Sequence, residues 1–246
     1  MLEVERLNIG TRDALFVENL SIELARGRLT CLIGPSGCGK SSVIKWLSGV
    51  LAPELRATGC ARFDGHEIAL PHPGIAYQPQ GDSLFPWLTV FENATLGLEI
   101  RGEADAAARD RVRGLFPIFG LQGNEDKFPD QLSGGMRQRA AFMRTMVQGA
   151  RVLLLDEPFS ALDAVTRLKM QDWLADRLEA DPRAVLLVTH DLFEATQIAD
   201  RVLVMGQHPA RIIADIPLTI PRAARTEASL AGIRSTLKSM LLEDSR

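Results

Sequence analysis

No stretch of this chain approaches the ~18 uninterrupted apolar residues that a membrane-spanning helix requires. The N-terminus, MLEVERLNIG, carries charges where a signal peptide would have its apolar run. The chain is therefore expected to stay in the cytosol and to meet a membrane only through a protein partner. A strong charge of either sign is also missing: 28 Lys+Arg against 31 Asp+Glu leave a formal net charge of −3, without the clustered positive charge that nucleic acid or anionic lipid would need. Cysteine is scarce, and Cys31, Cys38 and Cys60 are odd in number and share no metal-ligand spacing, so reduced thiols are expected. Internal repeats, low-complexity tracts and long linkers are absent too. What is present is an ordinary globular composition, 46% hydrophobic and 24% charged over 246 residues, enough for one substantial core.

Continuous apolar runs at Leu29–Ile33, Val152–Leu155, Val185–Val188 and Val202–Met205 lack the polar alternation of a strand with one wet face, and read as central parallel strands covered on both sides. Helical patterns lie between them: Val43, Leu47 and Val50 share one face, and Met170, Trp173, Leu174 and Leu178 another. This alternation predicts an α/β fold with a helix-sandwiched parallel sheet. The first ~80 residues are richer in short strands, around Glu3–Leu7, Leu20–Leu24 and Ala61–Phe63, and predict an antiparallel β subdomain. Residues from about 82 to 149 hold helical patterns and form a helical insert, and the tail over 221–246 reads as a short helix.

Gly34-Pro35-Ser36-Gly37-Cys38-Gly39-Lys40-Ser41 follows a predicted strand and precedes a predicted helix, the context a G-x-x-x-x-G-K-[ST] phosphate loop requires. Its glycines let backbone N–H groups turn toward phosphate oxygens, Lys40 neutralises charge on the β and γ phosphates, and Ser41 offers a hydroxyl to Mg²⁺, with Ser42 beside it. Cys38, two residues before Lys40, sits near a cation that favours thiolate. The strand Val152–Leu155 runs into Asp156 and Glu157 at the sheet's carboxyl edge, where ligands of open α/β folds bind. From there Asp156 can reach a magnesium shell and Glu157 can orient water for in-line attack on a γ-phosphate. Leu132-Ser133-Gly134-Gly135-Met136 opens a helix with the apolar stripe Met136, Ala140, Met143 and Val147. Ser133 suits an N-cap, and the two glycines after it leave bare amides that suit an anion.

Taken together, and with LSGGMRQR at the helix start, the sequence resembles an ATP-binding-cassette ATPase over nearly its whole length. The resemblance implies a P-loop NTPase (RecA-like) core across residues 1–220, with ATP and Mg²⁺ as ligands. It also implies a homodimer closing around two ATP molecules, in which Ser133, Gly134, Gly135 and Met136 of one copy face the nucleotide held by the other. Met136 stands where the family usually has Gln. Gln80 is similar to the glutamine that joins magnesium and the attacking water to the docking surface for a membrane subunit, and Asp156 and Ser41 complete the implied magnesium set. Phe85, Trp87 and Leu88, around Pro86, are open to two readings, core packing or an exposed docking patch. Asp163 in Ser160-Ala161-Leu162-Asp163 resembles the loop passing between copies and also suits a helix cap. His190 matches the histidine that contacts the γ-phosphate and supports Glu157. Around Ile9–Thr11 the aromatic that usually stacks adenine is missing, and Phe16 is the nearest candidate for that role.

With no membrane segment of its own, the chain is expected to work with separate integral-membrane permease subunits and an extracytoplasmic solute-binding protein, at the cytoplasmic face of the cell membrane. SLFPWLTVFENATLGLEIRG, LSGGMRQRAAFMRT and DEPFSALDAVTRLKMQ are similar to the nitrate, sulfonate and taurine importers, a group that includes carriers of thiamine's pyrimidine precursor. Two other classes share parts of the pattern. A soluble cassette ATPase would need a coiled-coil insertion or a second cassette, together with basic surface. A phosphate-loop small-molecule kinase would have a lid and an acceptor pocket in place of the LSGG helix.

Overall fold

The computed structural model describes residues 1–207 and 209–243. A six-stranded sheet runs in the order β10-β9-β3-β8-β7-β6. Its strands are β3 (Leu29–Ile33), β6 (Ile75–Gln78), β7 (Val152–Asp156), β8 (Ala184–Val188), β9 (Arg201–Met205) and β10 (Ile212–Pro217). All neighbours are parallel except β10, which pairs antiparallel with β9. The four apolar runs of the sequence are thus the four inner strands. Their residues alternate between two cores: Leu153 and Leu155 of β7 face one, Val152 and Leu154 the other, and β8 and β9 follow the same rule. Water touches neither face, so the runs need no polar alternation, and each buried Leu or Val contributes about 1.5–3 kcal/mol of transfer free energy.

One face carries helix α1 (Lys40–Leu47) and a four-stranded antiparallel sheet, order β2-β1-β4-β5, made of β1 (Leu2–Gly10), β2 (Leu15–Leu24), β4 (Arg56–Phe63) and β5 (His66–Ile68). Val43, Ile44 and Leu47 fill that core, whereas Val50 is 56% exposed. The helix stops at Leu47 because Ser48 and the left-handed Gly49 (φ 74°) end it.

The other face carries the remaining helices. The insert consists of α2 (Val90–Ile100), α3 (Ala106–Ile118) and α4 (Gly134–Val147). Thr89 and Glu92 form a capping box on α2, and Asp105 caps α3 by accepting from Ala108 N–H at 2.7 Å. An aromatic cluster fastens the insert to the segment that follows β7: the Phe119 and Trp173 rings meet edge-on at 4.7 Å, and those of Phe142 and Phe159 at 5.2 Å. Helices α5 (Ala164–Ala180), α6 (Leu192–Ile198) and α7 (Glu227–Glu243) complete the layer. The C-terminal helix has 17 residues and is longer than the sequence reads, with Leu230 and Leu237 fully buried. Among the described residues no helix is long and apolar enough to cross a membrane.

Because β3, β6, β7 and β8 are parallel, their carboxyl ends emerge along one edge. Ile33 leads into the phosphate loop, Gln78 into Gln80, Asp156 into Glu157, and Val188 into His190. Residues far apart in sequence arrive at one place for this reason.

Candidate functional site

Residues 34–39 leave β3 and turn directly into α1. Two glycines are dictated by geometry. A Cβ on Gly34 would sit 2.5 Å from the Met205 carbonyl oxygen, and Gly39 has φ 106° with Val17 Cγ2 2.9 Å from where its Cβ would be. The Lys40 ammonium is buried and donates to the carbonyls of Gly34 and Pro35, both at 2.8 Å, with Cys38 Sγ at 3.8 Å. The Cys38 thiol is pushed up by burial, which outweighs the opposing pull of Lys40. The thiolate expected from the sequence is therefore corrected: the nearby cation is real, but the protein around the sulfur removes the water an anion would need.

Ser41 Oγ donates to Asp156 Oδ1 at 3.2 Å. Asp156 is 2% exposed, and burial raises its pKa from the ordinary value, with the Ser41 hydrogen bond opposing and Glu157 reinforcing. A hydroxyl and a carboxylate side by side are hard oxygen donors. They suit Mg²⁺, which keeps water and substrate phosphate as its other ligands. Among the described residues no cluster of three His, Cys, Asp or Glu side chains forms a metal cage of its own.

Glu157 has left-handed backbone (φ 49°), uncommon for a residue with a side chain, and its N–H is fixed to the Val188 carbonyl at 2.9 Å. This kink follows the last strand residue. One carboxylate oxygen lies 2.9 Å from His190 Nδ1, and the other accepts from Gln80 Nε2 at 3.2 Å. An ionised carboxylate only accepts, so the His190 ring donates to it from Nδ1–H. Ser36, Gly37, Gly39 and residues 40–42 line one open cleft of about 320 Å³ together with Gln80, Glu157 and His190. The structure thus brings the phosphate loop and three of the sequence-predicted residues into one place.

Ser133, Gly134, Gly135 and Met136 do not line this cleft. Ser133 caps α4, accepting from Met136 N–H at 3.3 Å, and Asp163 caps α5, accepting from Thr166 N–H at 3.0 Å. Phe16 is 44% exposed on β2, next to the Val17 that covers Gly39, and its carbonyl accepts from Ala210 N–H. The two readings of 85–88 separate: Phe85 and Trp87 are exposed, with rings 5.4 Å apart, while Leu88 is half-buried. Buried Asn93 shapes this patch, accepting from Phe85 N–H at 2.8 Å and donating to the carbonyls of Phe85, Leu88 and Thr89. Arg137 reaches Asp82 at 2.9 Å, and Arg144 donates to the Ser83 and Asp82 carbonyls, tying the loop after Gln80 to α4. Sequence reasoning passes over these arginines and over Gln138, all buried or half-buried on α4. The signal open to it was polar residues inside an otherwise apolar helix stripe.

A parallel sheet with a phosphate loop at its carboxyl edge and acidic residues ending a neighbouring strand defines a P-loop nucleotide-binding fold. The chain belongs to the ABC transporter family, whose sequence pattern matches residues 17–160. It is 36% identical over 235 residues to the formylaminopyrimidine import ATP-binding protein ThiZ of Halalkalibacterium halodurans, covering 93% of this chain and 91% of that protein. It is 38% identical to the aliphatic sulfonates import ATP-binding protein SsuB 2 of Burkholderia cenocepacia, over 92% of this chain and 81% of that protein. Among solved structures, an ATP-binding subunit of an ABC transporter superposes with a TM-score of 0.81 at 25% identity, covering 98% of this chain and 99% of that one. A dimeric ATP-binding cassette bound to ADP and Pi shares the fold, with a TM-score of 0.77 at 24% identity over 89% of this chain and 99% of that one.

Proposed function

We propose that this chain is the ATP-binding and ATP-hydrolysing subunit of an importer for a small solute, docked through the Phe85–Trp87 patch on a separate membrane permease. The observation that carries the reading is the Glu157 carboxylate, held by His190 and Gln80 and facing the phosphate loop across one cleft. Loop amides and the N-terminus of α1 bind the phosphates, and Lys40 exchanges its loop carbonyls for phosphate oxygens. Glu157 accepts a hydrogen bond from the attacking water and aims it along the line of the breaking bond, the positioning task that dominates phosphoryl transfer. His190 and Gln80 fix that carboxylate, and His190, when protonated on both ring nitrogens, can also donate from Nε2 to the γ-phosphate. Ser41, Asp156 and Gln80 would hold Mg²⁺, which would supply neutralisation of phosphate charge there.

Ser133, Gly134 and Gly135 stand outside the cleft yet form a phosphate-reading helix start, so they serve the nucleotide of a second copy, with the Asp163 loop between the two. In this homodimer, closure around ATP moves the attached permease and hydrolysis reopens it. The likeness to proteins named for formylaminopyrimidine and aliphatic sulfonates import supports a solute of the sulfonate, nitrate or taurine type or a thiamine-precursor pyrimidine, delivered by a solute-binding protein. The Glu157→Gln variant should bind MgATP, accumulate as an ATP-held dimer and lose hydrolysis; parental turnover would refute the role given to Glu157. In liposomes containing the copurified permease, ATP hydrolysis should rise with a binding protein loaded with one of these solutes. No stimulation by any would count against import.

A further inference from the structure

We infer that Gln138 is a positioning residue for hydrolysis, through which helix α4 holds the Glu157 turn in its working shape. Gln138 is only 4% exposed, and its carboxamide spans both ends of the segment 157–161. Nε2 donates to the Glu157 carbonyl at 3.1 Å and to Ser160 Oγ at 3.3 Å, while Oε1 accepts from Ala161 N–H at 2.7 Å. Ser160 supports the same carbonyl, by its N–H at 3.3 Å and its Oγ at 3.0 Å.

Glu157 needs such support. Its left-handed backbone is one that side-chain-bearing residues rarely adopt, and such conformations persist only where their surroundings over-determine them. Val188 fixes the N–H of this residue and Gln138 the carbonyl, so the side chain leaves the backbone at one angle, toward Gln80 and His190. At Gly135 the two segments also run close together: an added Cβ there would lie 3.4 Å from the Ala161 carbonyl oxygen. The helix that begins at Ser133 is therefore bonded, one turn later, to the residue that aims water. In the dimer of the proposed function, on which this inference rests, the Ser133 turn reads the partner's nucleotide, and Gln138 makes the same helix hold this copy's Glu157.

The test uses the full chain with Gln138→Met, which keeps length without hydrogen bonds. Gln138→Glu runs beside it, keeping the acceptor for Ala161 and removing the donor to Glu157. Displacements near ~1 Å can cost about 10²-fold in rate, and with Ser160 still in place both variants should lose about tenfold in kcat. MgATP half-saturation should stay at the parental value, while the melting temperature falls by a few degrees, roughly 2–6 °C, for the buried hydrogen bonds lost. Both should also accumulate an ATP-held dimer on size exclusion, as expected for Glu157→Gln, which a general loosening of the fold would not produce. Parental kcat in either variant overturns the inference, as does joint loss of ATP binding and thermal stability in both. Parental turnover in Glu157→Gln overturns instead the reading of Glu157 beneath it, whatever the Gln138 variants do.

Discussion

His190 Nδ1 stands 2.9 Å from Glu157 Oε1, joining the ends of two neighbouring strands at the floor of the cleft. Removing the imidazole leaves Gln80 as the one side chain holding the carboxylate among the described residues. His190→Ala should therefore lower kcat by about 10–100-fold, in the range of a lost positioned catalytic contact, with ATP affinity little changed. Steady-state hydrolysis set beside fluorescent-nucleotide binding separates the two quantities. Equal losses in both would make His190 a binding group only.

Asp156 gives a prediction whose sign depends on ligand. Burial raises its pKa above the ordinary 3.8, so the fold without nucleotide prefers the neutral acid. Its stabilising contribution is complete below the ordinary value and is lost as pH rises through the raised one. At pH 7–8 the ionised group is a net cost, and Asp156→Asn should raise the melting temperature of the nucleotide-free chain by about 2–4 °C. The same variant should lose most of the stabilisation that MgATP confers on the parent. Thermal melts with and without MgATP would show it, and a lower nucleotide-free melting temperature would mean that the Ser41 bond outweighs burial.

How much of this was legible in the sequence follows from where each interaction lies along the chain. The phosphate loop and the Asp156–Glu157 pair are contiguous, and their strands are apolar throughout, so fold and chemistry could both be read there. Strand β6 has four residues and ends in the polar Gln78, and β10 alternates half-buried and exposed positions at the sheet edge, so neither has the apolar run of an inner strand. Gln138 acts on residues 19 to 23 positions away across a helix–turn contact that no local spacing announces. Cys38 was misread in sign because a neighbouring Lys40 is visible in sequence and burial is not.

That correction alters what alkylation should do. With its pKa raised and its side chain nearly enclosed, Cys38 should react slowly with iodoacetamide at neutral pH, behind the half-buried Cys60, and faster as pH rises. Once modified it should abolish nucleotide binding, since Sγ lies 3.0 Å from the Cβ position of Gly34 and there is no room for an added group. Bound MgATP should protect it. Mass-spectrometric labelling rates that are equal with and without nucleotide would place Cys38 outside the nucleotide's reach.

Phe16 bears on which base the cleft prefers. It is the exposed aromatic on the strand that covers Gly39, and the turn before it, closed by Thr11 N–H to the Ala14 carbonyl at 2.8 Å, offers Arg12 and Asp13 but no ring. Stacking on one aromatic face is worth about 1–3 kcal/mol per base and tolerates every base, because each has a π-face. Phe16→Ala should then weaken ATP and GTP by similar factors, about 5–150-fold by that range, while kcat at saturation stays near parental. Competition binding of the two nucleotides to parent and variant measures this directly. If ATP weakens and GTP does not, Phe16 discriminates the adenine edge; if neither weakens, the base lies elsewhere.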